Sequence, residues 1–214
     1  MTAGGLRSAR LLTAATSLRI VVVPAVMALV LAAGDDAHAI GAVLFAAAAL
    51  TDFFDGRLAR RWGVTTPLGS FLDTTADKLL VTGALIALVD AGRASVWLAA
   101  LIIGREIAIL GLKGVVSADG DVVQPSMLAK WKAAIQFLAI FLAILRPGGE
   151  IAGAYLDQWA MLAAAVVTVA SAADYLVRLA PALRAPAPAA PPDDERPAPE
   201  RSEMALGRRP STTP

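Results

Sequence analysis

The chain has 214 residues, 57% of them hydrophobic and 17% charged, with a formal net charge of +1. Its mean hydropathy of +0.64 exceeds that of an ordinary soluble domain and points to the lipid bilayer as its solvent. The near-zero charge gives no footing for nucleic acid, and the absence of cysteine excludes a disulfide framework and any thiolate metal site.

In chain order, Arg7 and Arg10 precede the first apolar stretch. No small-residue cleavage site followed by a soluble domain is recognisable, so this span is expected to be retained. Leu6–Thr13 carries the pattern of a short amphipathic helix lying on the membrane surface. Six spans of about 20 residues are then predicted, near Ala15–Ala33, Ala39–Arg61, Gly69–Val89, Ala94–Val116, Ser126–Leu145 and Tyr155–Leu179. Several uncharged cores, such as Leu79–Val89, are too short to cross alone. They cross only if their polar ends face water or the bundle interior. Because backbone in lipid must satisfy its own hydrogen bonds, the expected fold is an all-α integral membrane protein, a bundle of six transmembrane helices.

Charge sets the expected orientation. Arg7, Arg10 and Arg19 flank the first span, Arg57, Arg60 and Arg61 the second-to-third connection, and Lys113, Lys130 and Lys132 the fourth-to-fifth. The alternate connections hold Asp35, Asp36, Asp90, Arg93, Arg146 and Glu150. By the positive-inside rule the first set and both termini face the cytoplasm. Trp62, Trp97, Trp131 and Trp159 fall near predicted helix ends, where an aromatic belt would put them. His38 falls in the first outer connection and reads as an exposed residue without a role. From Pro181 the composition turns to Ala-Pro repeats and charge, which reads as a solvated, disordered tail. The expected layout is a juxtamembrane segment over 1–14, a membrane catalytic domain over 15–180 and a cytoplasmic tail over 181–214.

Four aspartates stand out in this apolar setting: Asp52-x-x-Asp55-Gly56-x-x-Ala59-Arg60, eight further residues, then Gly69-x-x-x-Asp73-x-x-x-Asp77. Carboxylates near hydrocarbon are costly and usually mark a functional site. Spacings of three and four put each pair on one helical face. Brought together, each close pair would repel by about 3–4 kcal/mol at an effective dielectric near 20. A cation must sit between them, and hard oxygen ligands favour Mg²⁺, Mn²⁺ or Ca²⁺. Eight specified positions would coincide by chance on the order of once in 10⁹ starting points.

The array resembles the signature of the CDP-alcohol phosphatidyltransferases, D-x₂-D-G-x₂-A-R-x₈-G-x₃-D-x₃-D, at every fixed position, and the likeness extends over roughly Thr16 to Arg178. The resemblance implies six membrane helices, a homodimer, two divalent cations (Mg²⁺ or Mn²⁺) per site and transfer of a phosphatidyl group from a CDP-lipid to an alcohol. It implies that Asp52, Asp55, Asp73 and Asp77 hold metal, and that Asp77 is the catalytic base. Asp55, Gly56, Ala59, Arg60 and Gly69 would bind the CDP-lipid. The implied location is the bacterial inner membrane, with several passes and the site open to the cytoplasm. The chemistry asks for these residue types independently. A diphosphate and a departing CMP need charge neutralisation, and an alcohol is a weak nucleophile that needs a proton acceptor. Gly56 and Gly69 would let a base or phosphate approach the backbone, although small residues also serve helix packing.

Outside the array, Thr16-Ser17-Leu18-Arg19-Ile20 with Pro24, Gly104-Arg105-Glu106-Ile107 and Ala129-Lys130-Trp131-Lys132-Ala133 with Gln136 resemble segments of the family branch that uses glycerol 3-phosphate. This implies CDP-diacylglycerol as donor and glycerol 3-phosphate as acceptor. The departures are Ala129 for glycine, Ala133 for threonine, Thr74 where proline is common, and no Pro-Asn before the opening. Arg105 lies deep in a span and needs an anion. Glu106 is adjacent, but neighbours on a helix point about 100° apart, so an acceptor phosphate is the better expected partner. Lys130 and Lys132 fit acceptor binding or snorkelling anchors equally, and Lys113 leans toward an anchor. Lys78, beside Asp77, would tune the array electrostatically. An inositol phosphate acceptor, or phosphatidylglycerol giving cardiolipin, remains open within the class. A divalent-cation transporter is the distant alternative, disfavoured because no internal repeat is visible.

Overall fold

The computed structural model describes residues 3–62, 67–118, 127–151 and 153–184, with side chains described over 16–51, 72–114, 131–150 and 153–179. Six α-helices lie among the described residues: α1 (Ala3–Leu31), α2 (Asp35–Trp62), α3 (Pro67–Asp90), α4 (Val96–Ala118), α5 (Met127–Leu145) and α6 (Leu156–Arg184). They coincide with the six predicted segments to within a few residues, except at three ends. Residues 6–13 are not a separate surface helix, because α1 is unbroken from Ala3 and runs through Pro24. Asp35, Asp36 and His38 belong to the first turns of α2 rather than to a connection, where acidic side chains meet the positive end of the helix dipole. α6 continues through Pro181 to Arg184. A two-residue antiparallel pairing, Glu150 with Tyr155 and Ile151 with Ala154, is a minor departure from the all-helical expectation. One compact unit spans Met1–Leu179 and a second spans Ala180–Pro214; residues 185–214 lie outside the described residues.

Within the first unit, α1 packs against α2 and α3, α2 against α5, and α3 reaches both α4 and α5. Val26 and Val30 of α1, Phe45 of α2, Leu80, Leu85 and Leu88 of α3, Ile102 of α4 and Ile140 and Ile144 of α5 form the core. Alanines fill the gaps between them, among them Ala42, Ala84, Ala87, Ala139 and Ala143. Small side chains let helix axes approach, which matters most where association rests on van der Waals packing. At Gly83 a β-carbon would stand 2.6 Å from Val23 Cγ1 and 3.2 Å from Met27 Sδ. At Gly41 it would stand 3.1 Å from Leu29 Cβ. Phe45 and Phe137 join α2 to α5 with ring centroids 5.8 Å apart.

Large apolar side chains also face outward. Leu18 and Val21, Val43, Ile86, Ile107, Leu138 and Val166 expose more than half of their surface, so each helix carries apolar residues outward. Trp97, Trp131 and Trp159 are exposed near the starts of α4, α5 and α6. By length and composition, one helix among the described residues, Leu156–Leu179, meets the requirement for crossing a membrane. Thr16–Leu31 and Trp131–Leu145 are shorter apolar helices.

His38 departs from expectation. It is buried on α2, and Arg93 Nη2 lies 3.0 Å from its Nδ1. Arginine has no acceptor, so this ring nitrogen accepts. The same guanidinium donates to the carbonyl of Ile144 at 2.7 Å, one of the carbonyls an α-helix leaves open at its C-terminus. Gly92, at φ +67°, ends α3 by letting Arg93 N and Ala94 N donate back to Leu88 O, in the manner of a glycine C-cap. Burial lowers the Arg93 pKa most, Arg146 lowers it further, and Asp157 then Asp35 oppose them. Asp157 is fully buried, and its carboxylate oxygens accept no hydrogen bond among the described residues. Arg93 thus ties the end of α3 to the start of α2 and the end of α5.

Gly83→Val is expected to drive α1 from α3 and cost about 1–3 kcal/mol, read as a lower melting temperature of the detergent-purified protein. Arg93→Ala removes the α5 cap and the cation near Asp157. A loss of about 1–3 kcal/mol in the same measurement is expected.

Candidate active site

α3 carries half of the aspartate array. Asp73 and Asp77 lie four residues apart in its first half, one above the other on a face. Their side chains are 38% and 22% exposed, so oxygens remain accessible. Asp73 Oδ1 accepts from Arg19 Nη1 at 3.3 Å; Arg19, on α1, is buried. The close α1–α3 packing that Gly83 permits brings Arg19 to Asp73. Asp52, Asp55, Gly56, Ala59 and Arg60 fall on the helical backbone of α2, and Gly69 on the first turn of α3. Their side chains lie outside the described residues, as does that of Lys130 at the start of α5. Among the described residues no three carboxylate or histidine side chains converge, and the array contributes two of its four there. Those two form an all-oxygen donor set with accessible lone pairs, which fits a hard divalent cation.

A second charged cluster lies beside the first. Lys78 Nζ is 3.4 Å from Asp77 Oδ2 and 2.5 Å from Glu106 Oε2. Glu106 is buried on α4, and its Oε1 also accepts from Lys132 of α5. Arg105 Nη1 lies 3.1 Å from the same oxygen, and Arg105 Nη2 donates to Ser171 Oγ on α6 at 2.9 Å. Ser171 in turn donates to the carbonyl of Thr168 at 3.0 Å. Three helices therefore place three cations around one carboxylate, Ser171 of a fourth holds Arg105, and Lys78 links that group to Asp77. The expectation that Arg105 and Glu106 pair badly is corrected here. The angular separation applies to Cβ directions, and a long guanidinium side chain bends across it.

Lys132 is a buried cluster member and not a snorkelling anchor, because its head has a carboxylate to meet inside. Lys113 leaves the cluster alone, with its ammonium 5.7 Å from the Tyr175 ring centroid, a cation–π distance. Gln136 follows Lys132 by one turn of α5 and is buried. Its Oε1 meets no donor among the described residues. Sequence reasoning did not foresee the Arg19–Asp73 pair or the part of Ser171. A lone serine in an apolar helix carries no signal of its own, and Arg19 read as an orientation charge.

A carboxylate face on α3 beside a converging set of cations suits the transfer of an anionic group between anionic partners. Comparison with known proteins decides which transfer it is. Residues 11–174 match the model of the CDP-alcohol phosphatidyltransferase family. The chain belongs to that family. It is 41% identical over 142 residues to a CDP-diacylglycerol–glycerol-3-phosphate 3-phosphatidyltransferase of Bacillus subtilis (strain 168), covering 61% of this chain and 74% of that protein. It is 38% identical over 180 residues to a probable phosphatidylglycerophosphate synthase of Mycobacterium tuberculosis (strain ATCC 25618 / H37Rv), covering 82% of this chain and 84% of that one. A Sodalis glossinidius (strain morsitans) CDP-diacylglycerol–glycerol-3-phosphate 3-phosphatidyltransferase is 39% identical over 140 residues, 63% of this chain and 75% of its own. As a phosphatidyltransferase, the chain is a transferase of phospholipid biosynthesis, and its family is membrane-associated.

Ser171→Ala removes one of the two side-chain anchors described for Arg105. Losing one such hydrogen bond costs about 1 kcal/mol, so kcat/KM for the acceptor is expected to fall about fivefold, measured as CMP release.

Proposed function

We propose that this phosphatidyltransferase moves the phosphatidyl group of CDP-diacylglycerol to sn-glycerol 3-phosphate, giving phosphatidylglycerophosphate and CMP. One observation carries the choice of acceptor: Lys78, Arg105 and Lys132 converge on Glu106, and Lys78 also lies 3.4 Å from Asp77. Lys132 is buried and Lys78 and Arg105 are half-buried; Glu106 is one anion among three cations, and a phosphomonoester acceptor supplies more negative charge. Phosphatidylglycerol as acceptor would leave these cations without that group. The names of the bacterial relatives support the same donor and acceptor.

In this reading the acceptor phosphate lies among the cations and its free hydroxyl faces the α3 carboxylates. Asp77 takes the hydroxyl proton as general base. The acceptor oxygen forms its bond to the phosphorus bearing the diacylglyceryl group, and the bond from that phosphorus to the CMP oxygen breaks. Arg60 lies near the nucleotide phosphates, and Gly56, Ala59 and Gly69 line the cytidine pocket with Asp55. Asp52, Asp55, Asp73 and Asp77 would hold two Mg²⁺ or Mn²⁺ ions. When bound, these ions supply Lewis-acid neutralisation of the diphosphate and the departing CMP. Arg19 holds Asp73 in place from α1.

The proposed setting is the bacterial inner membrane, with α1–α6 as six spans and the catalytic face and both termini toward the cytoplasm. Positive residues at one set of connections and outward apolar faces on all six helices support it. The N-terminal part of α1, up to residue 14, would lie on the cytoplasmic side of its span, and residues beyond Arg184 would form a cytoplasmic tail. The active form would be a homodimer.

The test is CMP release by purified protein with CDP-diacylglycerol and an acceptor panel of glycerol 3-phosphate, inositol phosphate and phosphatidylglycerol. Turnover with glycerol 3-phosphate is expected, abolished by EDTA and restored by Mg²⁺ or Mn²⁺. No metal-dependent CMP release with any acceptor would end the enzymatic reading. Asp77→Asn is expected to lower kcat by at least about a hundredfold while CDP-lipid binding persists; lost binding or assembly would make Asp77 structural.

A further inference from the structure

Glu106 stands at the centre of the second cluster. Its carboxylate is buried, with Lys132 and Arg105 on Oε1 and Lys78 on Oε2. Three cations share the Glu106 carboxylate, so the cluster around it carries a surplus of positive charge that Asp77 offsets at Lys78 alone. Asp77 reaches Lys78 alone among the three, at 3.4 Å, and belongs to the aspartate array. A network built for stability would balance its charges, because unbalanced charge inside an apolar bundle is costly. Here the three heads come from α3, α4 and α5, and their mutual repulsion is held in check by a single shared anion. Ser171 fixes the second nitrogen of Arg105, so the guanidinium is braced as well as attracted.

The surplus has a chemical meaning. A phosphomonoester carries about −1.5 to −2 near neutral pH and answers a surplus of positive charge better than a phosphodiester, which carries one. We propose that Glu106 is a positioning and specificity-determining residue. It gathers Lys78, Arg105 and Lys132 into one cationic seat for a phosphomonoester dianion. The inference rests on the acceptor reading above and deepens it. Glu106 does not touch the reacting atoms; it acts through the cations it holds. With its carboxylate removed, the three heads repel one another and separate, and the grip on the acceptor phosphate loosens.

The experiment compares sn-glycerol 3-phosphate with its phosphate methyl ester, a monoanion, as acceptors for the full-length enzyme. For the unaltered protein the diester is expected to show a KM at least about tenfold higher, a difference of 1.4 kcal/mol. In E106Q the KM for glycerol 3-phosphate is expected to rise about tenfold, with the KM for CDP-diacylglycerol within about twofold of the unaltered value. E106D keeps the charge and is expected to recover part of the loss. An unchanged or lowered glycerol 3-phosphate KM in E106Q, or equal rises in both KM values, overturns the proposal. So does an unaltered enzyme whose two acceptors differ less than about twofold, a comparison that stands even where E106Q fails to fold. Absence of glycerol 3-phosphate-dependent CMP release from the unaltered enzyme would instead sink the acceptor reading itself.

Discussion

Charge placed among apolar helices has to find a partner, and in this chain α3 is where the partners meet. Asp73 reaches across to Arg19 on α1, Asp77 touches Lys78, and Lys78 reaches Glu106 on α4. Water would compensate such groups on a soluble surface. In a bundle whose outer faces are apolar, the compensation comes from neighbouring helices. The helix arrangement and the site are thus set by the same contacts, and displacing α3 would disturb both.

That dependence explains the split between the two ends of the bundle. At one end of α3, Arg93 joins the ends of two other helices through His38 and the Ile144 carbonyl. Thirteen residues separate Asp77 from the last residue of α3, about 20 Å at 1.5 Å per residue, so this tie is remote from the carboxylate face. It closes the bundle where no chemistry is expected. The carboxylate end is left with partly exposed side chains that a substrate can reach. A stapled end opposite an accessible one suits a scaffold that must hold carboxylates in register while admitting a large lipid.

Packing by small residues serves the same end. Gly83 and the alanines of α2, α3 and α5 bring the backbones close, and that closeness decides whether an arginine on α1 can meet an aspartate on α3. Larger residues would preserve helicity and hydrophobicity yet separate the pair. Alanine richness, which by composition alone is equally a genomic bias, acquires a structural role through these contacts.

The helices and the aspartate array were legible in the residue order because both are local, periodic properties. Apolar runs and carboxylates at three- and four-residue spacing announce themselves without tertiary information. The family followed from the array. Long-range pairing was not legible. Nothing near His38 in the chain says that Arg93, fifty-five residues on, will donate to its ring. Nothing in Arg105-Glu106 says that lysines from α3 and α5 will converge on the same carboxylate. Helix positions are dictated within a few residues of sequence, whereas the company of a buried charge depends on which faces pack together, and only the tertiary structure decides that.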